Sequence, residues 1–249
     1  MRQAEAGEVD LYEIVIKIGM SILPNLALGL AGYLTRAFDR SGFLMGVILG
    51  TLVTYAFGLG GFLVLLGFVA LGSATTRVRF RRKLAQGISE PHGGTRTWAN
   101  AVANLAVPAF GALAAIFNPM PVLKVFFTAS VATAAFDTVA SEMGKALAGK
   151  TLTLHDMKVR EAGVPGGISL GGTISGVVAA AAVSLVAFRF HFVDPGMTAY
   201  VVLAALLAMV AESLLKSALG LRSTHVANLT NTLLGGLIAT LFWTGLRTM

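Results

Sequence analysis

Apolar residues in this chain fall into long runs that do not alternate with polar ones. The runs cover about 12–34, 43–57, 61–78, 98–117, 122–146, 169–189, 198–219 and 226–246. Most are near the ~20 residues that carry an α-helix across a hydrocarbon core. The second and third are shorter and meet at Gly58-Leu59-Gly60-Gly61, a string of turn formers that reads as a tight helical hairpin. Pro24 falls inside the first run, where a membrane helix absorbs it as a kink. Two connections are long, about 79–97 and 147–168, and both are rich in glycine, charge and turn formers. The predicted fold class is therefore all-α: a single integral membrane domain over 1–249, a polytopic transmembrane helix bundle of about seven or eight spans.

Composition agrees. Of 249 residues 55% are hydrophobic and only 12% charged, about half the usual charged share of a soluble domain, and the mean hydropathy is +0.77. The absence of alternation argues against a β-barrel. With no cysteine, disulfides, thiol catalysis and Cys-based metal sites are excluded. The net charge of +7 reads as basic loops; nucleic acid is not an expected partner, because the basic loop lacks interleaved aromatics.

Charge also sets the orientation. Taking alternate loops as one side gathers Arg36, Arg40, Arg77, Arg79, Arg81, Arg82, Lys83, Arg96, Lys145, Lys150, Lys158, Arg160, Lys216 and Arg222 there, 14 of the 19 Lys and Arg residues. Arg2, Lys17, Lys124, Arg189 and Arg247 remain for the other. Such a bias places the first set in the cytoplasm, which implies a multi-pass protein of the cell (inner) membrane with both termini outside. Met1 to Tyr12 carries Glu5, Glu8 and Asp10 and no basic run, so it does not read as a secretory signal peptide.

Three carboxylates lie inside the apolar runs: Asp137, Glu142 and Glu212. Each costs ~2.5–3.5 kcal/mol at a helix centre, less near an interface. One explanation is structural pairing, Glu142 with Lys145 and Glu212 with Lys216, at helical spacings of three and four. A second is a shared site. In this topology Asn100 and Asn104 open one span, and Asp137, Ser141, Glu142 and Lys145 close the next. Ser169 and Thr173 open another, Glu212 and Lys216 close its successor, and Asn228 and Asn231 open the last. Five helix ends with carboxylates, amides or hydroxyls then share one membrane face.

Carboxylates beside amides suit Mg²⁺, which shares its oxygen ligands with phosphates, and flanking Arg and Lys suit phosphate oxygens. The segment Gly163 to Thr173, with Gly166 and Gly167, opens a helix. It can present backbone N–H groups to an anion, or it can be a turn followed by small-residue helix packing. The loop Arg77-Val78-Arg79-Phe80-Arg81-Arg82-Lys83 reads mainly as a topology determinant touching anionic headgroups; contact with a phosphorylated substrate is the alternative. His92, His155, His191 and His225 show no metal-ligand spacing. Val102-Ala103-Asn104-Leu105 recurs as Val226-Ala227-Asn228-Leu229, which duplication or chance would explain.

At these same residues the chain resembles the transmembrane protein 19 family, long catalogued as a domain of unknown function, which includes the plant phytyl-phosphate kinase of vitamin E synthesis. Gly94-Thr95-Arg96-Thr97-Trp98 with Asn104 and Pro108 is similar to its Gly-x-Arg-x-Trp stretch. Asp137-Thr138-Val139-Ala140-Ser141-Glu142-Met143-Gly144 is similar to its Asp-Thr-x-x-Ser-Glu-x-Gly motif, the most specific match. Pro165 to Thr173 looks like its Gly-Gly segment, and Val226 to Thr232 like its terminal Asn-rich motif. The family often has an acid or amide where this chain has Thr224-His225, and a longer loop after the seventh span.

The resemblance implies an isoprenoid (phytyl- or polyprenyl-) monophosphate kinase that takes a phosphoryl group from CTP or another nucleotide. Asp137, Glu142 and Glu212 would then be the catalytic Mg²⁺ ligands. Arg96, Lys145 and Lys216 would hold phosphates, with Asn100, Asn104, Ser141, Gly166, Gly167, Ser169, Thr173, Asn228 and Asn231 positioning phosphate or metal. The expected partners are isoprenyl monophosphate, a nucleoside triphosphate and the lipid bilayer; an oligomer is left open. The rivals are a transporter or flippase of a phosphorylated lipid or nucleotide, which would spread polar residues through the midplane, and a membrane cytidylyltransferase, which would release pyrophosphate.

Overall fold

A computed structural model describes residues 11–147, 149–219 and 224–247; Arg2, Glu5, Glu8, Asp10 and Arg222 lie outside the described residues. Among the described residues eight α-helices follow one another: α1 (Leu11–Leu34), α2 (Arg40–Arg77), α3 (Phe80–Ala85), α4 (Trp98–Phe117), α5 (Pro121–Leu147), α6 (Leu170–Arg189), α7 (Pro195–Leu219) and α8 (Thr224–Arg247). A 3₁₀ turn, Pro91–Gly94, precedes α4. All but α3 are long and apolar enough to cross a membrane. The chain is an integral, multi-pass helical membrane protein.

The 38-residue α2 does not run straight. Gly58 has φ 64 and ψ −154, outside the helical region and in the territory that glycine enters without steric cost. The chain reverses there. A Cβ on Gly61 would lie 3.2 Å from the carbonyl oxygen of Val53, eight residues earlier, although eight residues of straight helix span about 12 Å. Both ends of α2 also meet Arg96: the Gly42 backbone packs on its carbonyl, and Gly72 on its guanidinium. Thus α2 is two antiparallel limbs, and the described residues hold eight long apolar helical segments.

Polar caps start the helices. Asp39 Oδ1 accepts from the Gly42 N–H at 2.7 Å, Ser169 Oγ from Gly172 at 3.2 Å, and Asp194 Oδ1 from Met197 at 2.7 Å. Each satisfies a donor that the first turn leaves unpaired. The central helix is α5, whose residues Phe127 to Phe136 are buried throughout; it packs on α2, α4, α6, α7 and α8. Its contact with α6 is close because glycines face it. A Cβ on Gly172 would fall 2.6 Å from the Ala140 carbonyl, and one on Gly176 would fall 2.7 Å from the Phe136 ring.

The two long connections are folded. The first holds α3. The second holds a three-stranded antiparallel sheet ordered β2-β1-β3: β1 (Lys150–Thr153), β2 (Lys158–Glu161) and β3 (Gly167–Ile168). Asp156 ties the β1–β2 turn, accepting from Thr153 at 2.5 Å and Arg160 at 2.6 Å; these bonds hold its carboxyl below the usual range.

Both connections lie at the end of the bundle where the basic residues collect. Phe38 bridges to Arg96, Arg77 donates to the Thr35 carbonyl at 3.0 Å, and Arg79 donates to the Ala146 carbonyl at 3.1 Å. At the opposite end Phe57, Phe127 and Phe192 stack with ring centroids 4.8–6.1 Å apart. Lys124 sits 5.2 Å from the Phe192 ring.

Candidate active site

At the basic end the helices part around a polar cleft of about 240 Å³. Of the residues singled out by sequence, Arg96, Asn100, Asn104, Asp137, Ser141, Glu142, Lys145, Gly166, Gly167, Ser169, Thr173, Glu212, Lys216 and Asn228 all line it. They come from the loop before α4, from α4 to α8, and from the β2–β3 loop. The final turns of α5 and α7 bring carboxylates and lysines; the first turns of α4, α6 and α8 bring amides, hydroxyls and backbone N–H groups.

The carboxylates fall into two groups. Asp137 and Glu212 line the cleft from α5 and α7, close enough for their carboxyls to interact, and Lys216 pairs with Glu212 one turn away. Glu142, 2% exposed, is held by Lys83 and, at 3.4 Å, by Lys145. Lys145 also reaches Glu90 at 2.9 Å. The expected helical pairs Glu142–Lys145 and Glu212–Lys216 therefore both exist, and they are walls of the cleft. Among the described residues no three acidic or histidine side chains gather closely enough to hold a cation among themselves. Asp137 and Glu212 have one lysine, Lys216, between them, while Glu142 already answers two.

Two charged residues of the site were not anticipated. Glu90 lines the cleft from the loop after α3. Burial would raise its carboxyl, but Lys145, by charge and hydrogen bond, holds it below the ordinary carboxylate range. Lys83 was read as part of a surface basic run. Instead it is fully buried, donating to the Thr76 carbonyl at 2.8 Å and pairing with Glu142. Nothing in the run marks it: its neighbours Arg79, Arg81 and Arg82 are exposed, and only packing sets Lys83 apart. Arg79 and Arg77 stay exposed and donate to carbonyls of α5 and the α1–α2 loop.

The amides have specific duties. Asn100 Oδ1 accepts from the Thr97 N–H at 3.0 Å, capping α4. Asn104 donates to the Asn100 carbonyl at 2.9 Å, and Asn228 donates to Asn104 Oδ1 at 3.3 Å. The two echoed sequence segments thus meet in space through their asparagines. Pro108 has no N–H to give the Asn104 carbonyl, which interrupts the α4 ladder beside the cleft. Asn231 does not reach the cleft. It is 1% exposed, and neither atom of its amide has a hydrogen-bond partner among the described residues. It lies one turn ahead of Gly235, which packs on Thr133 of α5.

The glycine segment forms the turn and close packing of one of its two readings. Gly166 has φ 71, and a Cβ there would lie 2.6 Å from the Ser213 carbonyl; only glycine lets this loop press on the last turns of α7. The β3 strand then pins Gly167 and Ile168 to Thr153 and Leu152 of β1. The outcome is that the N-terminus of α6, with its partial positive charge, points at the cleft through Ser169, Gly172 and Thr173. Burial pulls the Arg96 guanidinium below its ordinary value, and Glu90 and Glu142 draw it back. Arg96, Lys145 and Lys216 therefore stand opposite four acids, Glu90, Asp137, Glu142 and Glu212.

Comparison with known proteins places these features. The family described as "Integral membrane protein DUF92" matches residues 23–239, which bears out the resemblance read from the motifs. An uncharacterized membrane protein of Synechocystis is 33% identical over 199 residues, 77% of each chain. One from Methanocaldococcus jannaschii is 31% identical over 244 residues, 95% of this chain and 98% of that one. Protein VTE6, chloroplastic, of Arabidopsis thaliana is 29% identical over 219 residues, 84% of this chain and 66% of its own length. No solved structure matches.

Proposed function

The chain belongs to the DUF92 family of integral membrane proteins, and on that premise we propose that it is a Mg²⁺-dependent isoprenoid monophosphate kinase. It would move the terminal phosphoryl group of CTP or another nucleotide onto a phytyl- or polyprenyl-type phosphate, giving the diphosphate. The observation that carries this reading is the meeting of Asp137 and Glu212 with Arg96, Lys145, Lys216 and the α6 N-terminus in one cleft. The motif resemblance to a family that includes a phytyl-phosphate kinase, and the likeness to a plant chloroplast protein, support the isoprenoid class.

Phosphoryl transfer asks an enzyme mainly for positioning and charge neutralisation. Asp137 and Glu212 would hold Mg²⁺, which commonly binds through one or two carboxylates plus substrate phosphates; bound there, it neutralises charge on the transferred group. Lys145 and Lys216 neutralise the remaining phosphate oxygens from opposite walls. The N–H groups at the start of α6 orient one phosphate. Arg96, in the loop before α4, would bind the isoprenyl phosphate. An oxygen of that phosphate attacks the terminal phosphorus of the nucleotide, and the bond to the bridging oxygen breaks, leaving the nucleoside diphosphate. The attacking oxygen is already ionised, so no strong base is required.

The positive-inside bias supports a cytoplasmic position for this face, in a cell membrane. The aromatic cluster at the far end favours chemistry at one face over passage through the bundle. Purified protein with an isoprenyl monophosphate, Mg²⁺ and CTP should yield isoprenyl diphosphate and CDP. Release of pyrophosphate with a cytidylylated lipid would assign the cytidylyltransferase reaction instead, and an Asp137→Ala variant of full activity would remove Asp137 from the metal site.

A further inference from the structure

A second cavity adjoins the polar cleft. It is a narrow apolar slot between α1, both limbs of α2, and α4, and it shares Arg96, Asn100 and Asn104 with the cleft. Its walls are Leu28, Phe43, Leu65, Phe68, Val69 and Leu105, with glycines 29, 42, 46 and 50. We propose that this slot seats the hydrocarbon chain of the phosphorylated lipid whose headgroup occupies the cleft. This rests on the kinase reading for the headgroup and adds where the chain goes and what limits its length.

Three observations carry it. First, Arg96, Asn100 and Asn104 line both the slot and the cleft, so an amphiphile with its phosphate at Arg96 has its first carbons beside the slot. Second, the slot is open where it needs to be. Gly42, Gly46 and Gly50 form one stripe at four-residue spacing on the first limb of α2. Gly42 is packed against the Arg96 carbonyl and Gly50 against the Asn25 side chain, whereas a Cβ on Gly46 would meet nothing within 4 Å. Third, the slot has a floor. Asn25, 5% exposed, donates to Thr54 Oγ1 at 2.9 Å and to the Ser21 carbonyl at 2.8 Å. Thr54 in turn donates to the Gly50 carbonyl at 2.8 Å. A polar lock across an apolar slot is a poor surface for more hydrocarbon.

The stripe from Gly42 to Gly50 rises about 12 Å. An extended chain advances roughly 1.2 Å per bond, from the ~3.5 Å of a three-bond residue, so about ten chain carbons reach the floor. Longer chains must leave sideways between α1 and α2 into the bilayer. Gly46 and Asn25 are then the residues that set chain-length preference.

The test reads binding without turnover. Purified protein in detergent, with no nucleotide, is labelled by isoprenyl phosphonates of about ten and twenty carbons that carry a terminal diazirine. Labelling sites are then mapped by mass spectrometry. The short probe should label the slot floor around Asn25, Leu28 and Leu65. Gly46→Leu should cut that labelling and the probe's affinity at least tenfold, while Ile48→Trp, on the exposed side of the same helix (61% exposed), should leave both unchanged. Asn25→Ala should shift preference toward the longer probe. Labelling confined to the outer faces of α6 or α8, no binding of either probe, or indifference to Gly46→Leu would overturn the proposal. Kinase turnover is assayed separately. Diphosphate formation that ignores Gly46 would sink the slot and spare the kinase, whereas slot labelling without turnover would do the reverse.

Discussion

Replacing Lys83 by methionine isolates the buried ion pair that fixes one wall of the cleft. Lys83 has no exposed surface, and its ammonium serves Glu142, the Thr76 carbonyl at 2.8 Å and the Thr75 carbonyl at 3.4 Å. Methionine keeps the volume and removes the charge. Removing one partner of a buried pair costs about 3–5 kcal/mol, because the other charge is left uncompensated. Glu142 retains Lys145 at 3.4 Å, which places the carboxylate's share near ~3 kcal/mol on that range. The orphaned Thr76 carbonyl adds about 1 kcal/mol. Lys83→Met should therefore lose about 3–4 kcal/mol of unfolding free energy, measured by circular dichroism during titration from mild detergent into SDS. Glu142→Gln in the same background removes the orphaned charge, so the double variant should be more stable than the sum of the singles by about 2 kcal/mol. A Lys83→Met loss under 1 kcal/mol, or strictly additive singles, would refute this account of the wall.

Gly166→Ala forces a side chain onto φ 71 and toward the Ser213 carbonyl; a loss of about 1–3 kcal/mol should appear as faster hydrogen exchange around β3, with the transmembrane helices unaffected. Gly235→Ala overlaps the Thr133 side chain on α5 and should cost about 1–3 kcal/mol in the same SDS titration. Asp137→Asn should lower turnover of an isoprenyl phosphate about 10²-fold or more, with the apparent Mg²⁺ requirement raised. The carboxyl of Glu90 is held below its ordinary value of 4.5, burial opposing and Lys145 prevailing. Its stabilising effect is thus complete above about pH 4.5 and is lost as pH falls through the lowered value. Glu90→Gln should be less stable than the parent at pH 7, and the gap should close on acidification toward pH 3; a gap that widens would reverse the assigned sign.

By itself the sequence determined that the chain spans a membrane as helices, and broadly where. Runs of about 20 apolar residues admit no other solvent and no other backbone geometry, since lipid offers no partner for an unpaired N–H or C=O. It also sorted Asp137, Glu212, Lys216 and Asn228 to one face, because helix ends in alternating order must fall on alternating sides. Even the reversal inside Arg40–Arg77 was legible, from the glycines at 58, 60 and 61. What only the tertiary structure decided is who pairs with whom. Lys83 looked like its surface arginine neighbours, because a charge run carries no mark of which member faces inward. Its burial follows from the angle at which α3 leaves α2 and meets Glu142, 59 residues later. Asn231 matched the motif as well as Asn228 did, yet three residues of helix turn it about 300° away, behind the cleft wall. The sheet in 149–168 and the slot behind Gly46 likewise depend on separate segments coming together. Local pattern fixes the helices because their hydrogen bonds are local; a site made of their ends is fixed by packing, which no single segment encodes.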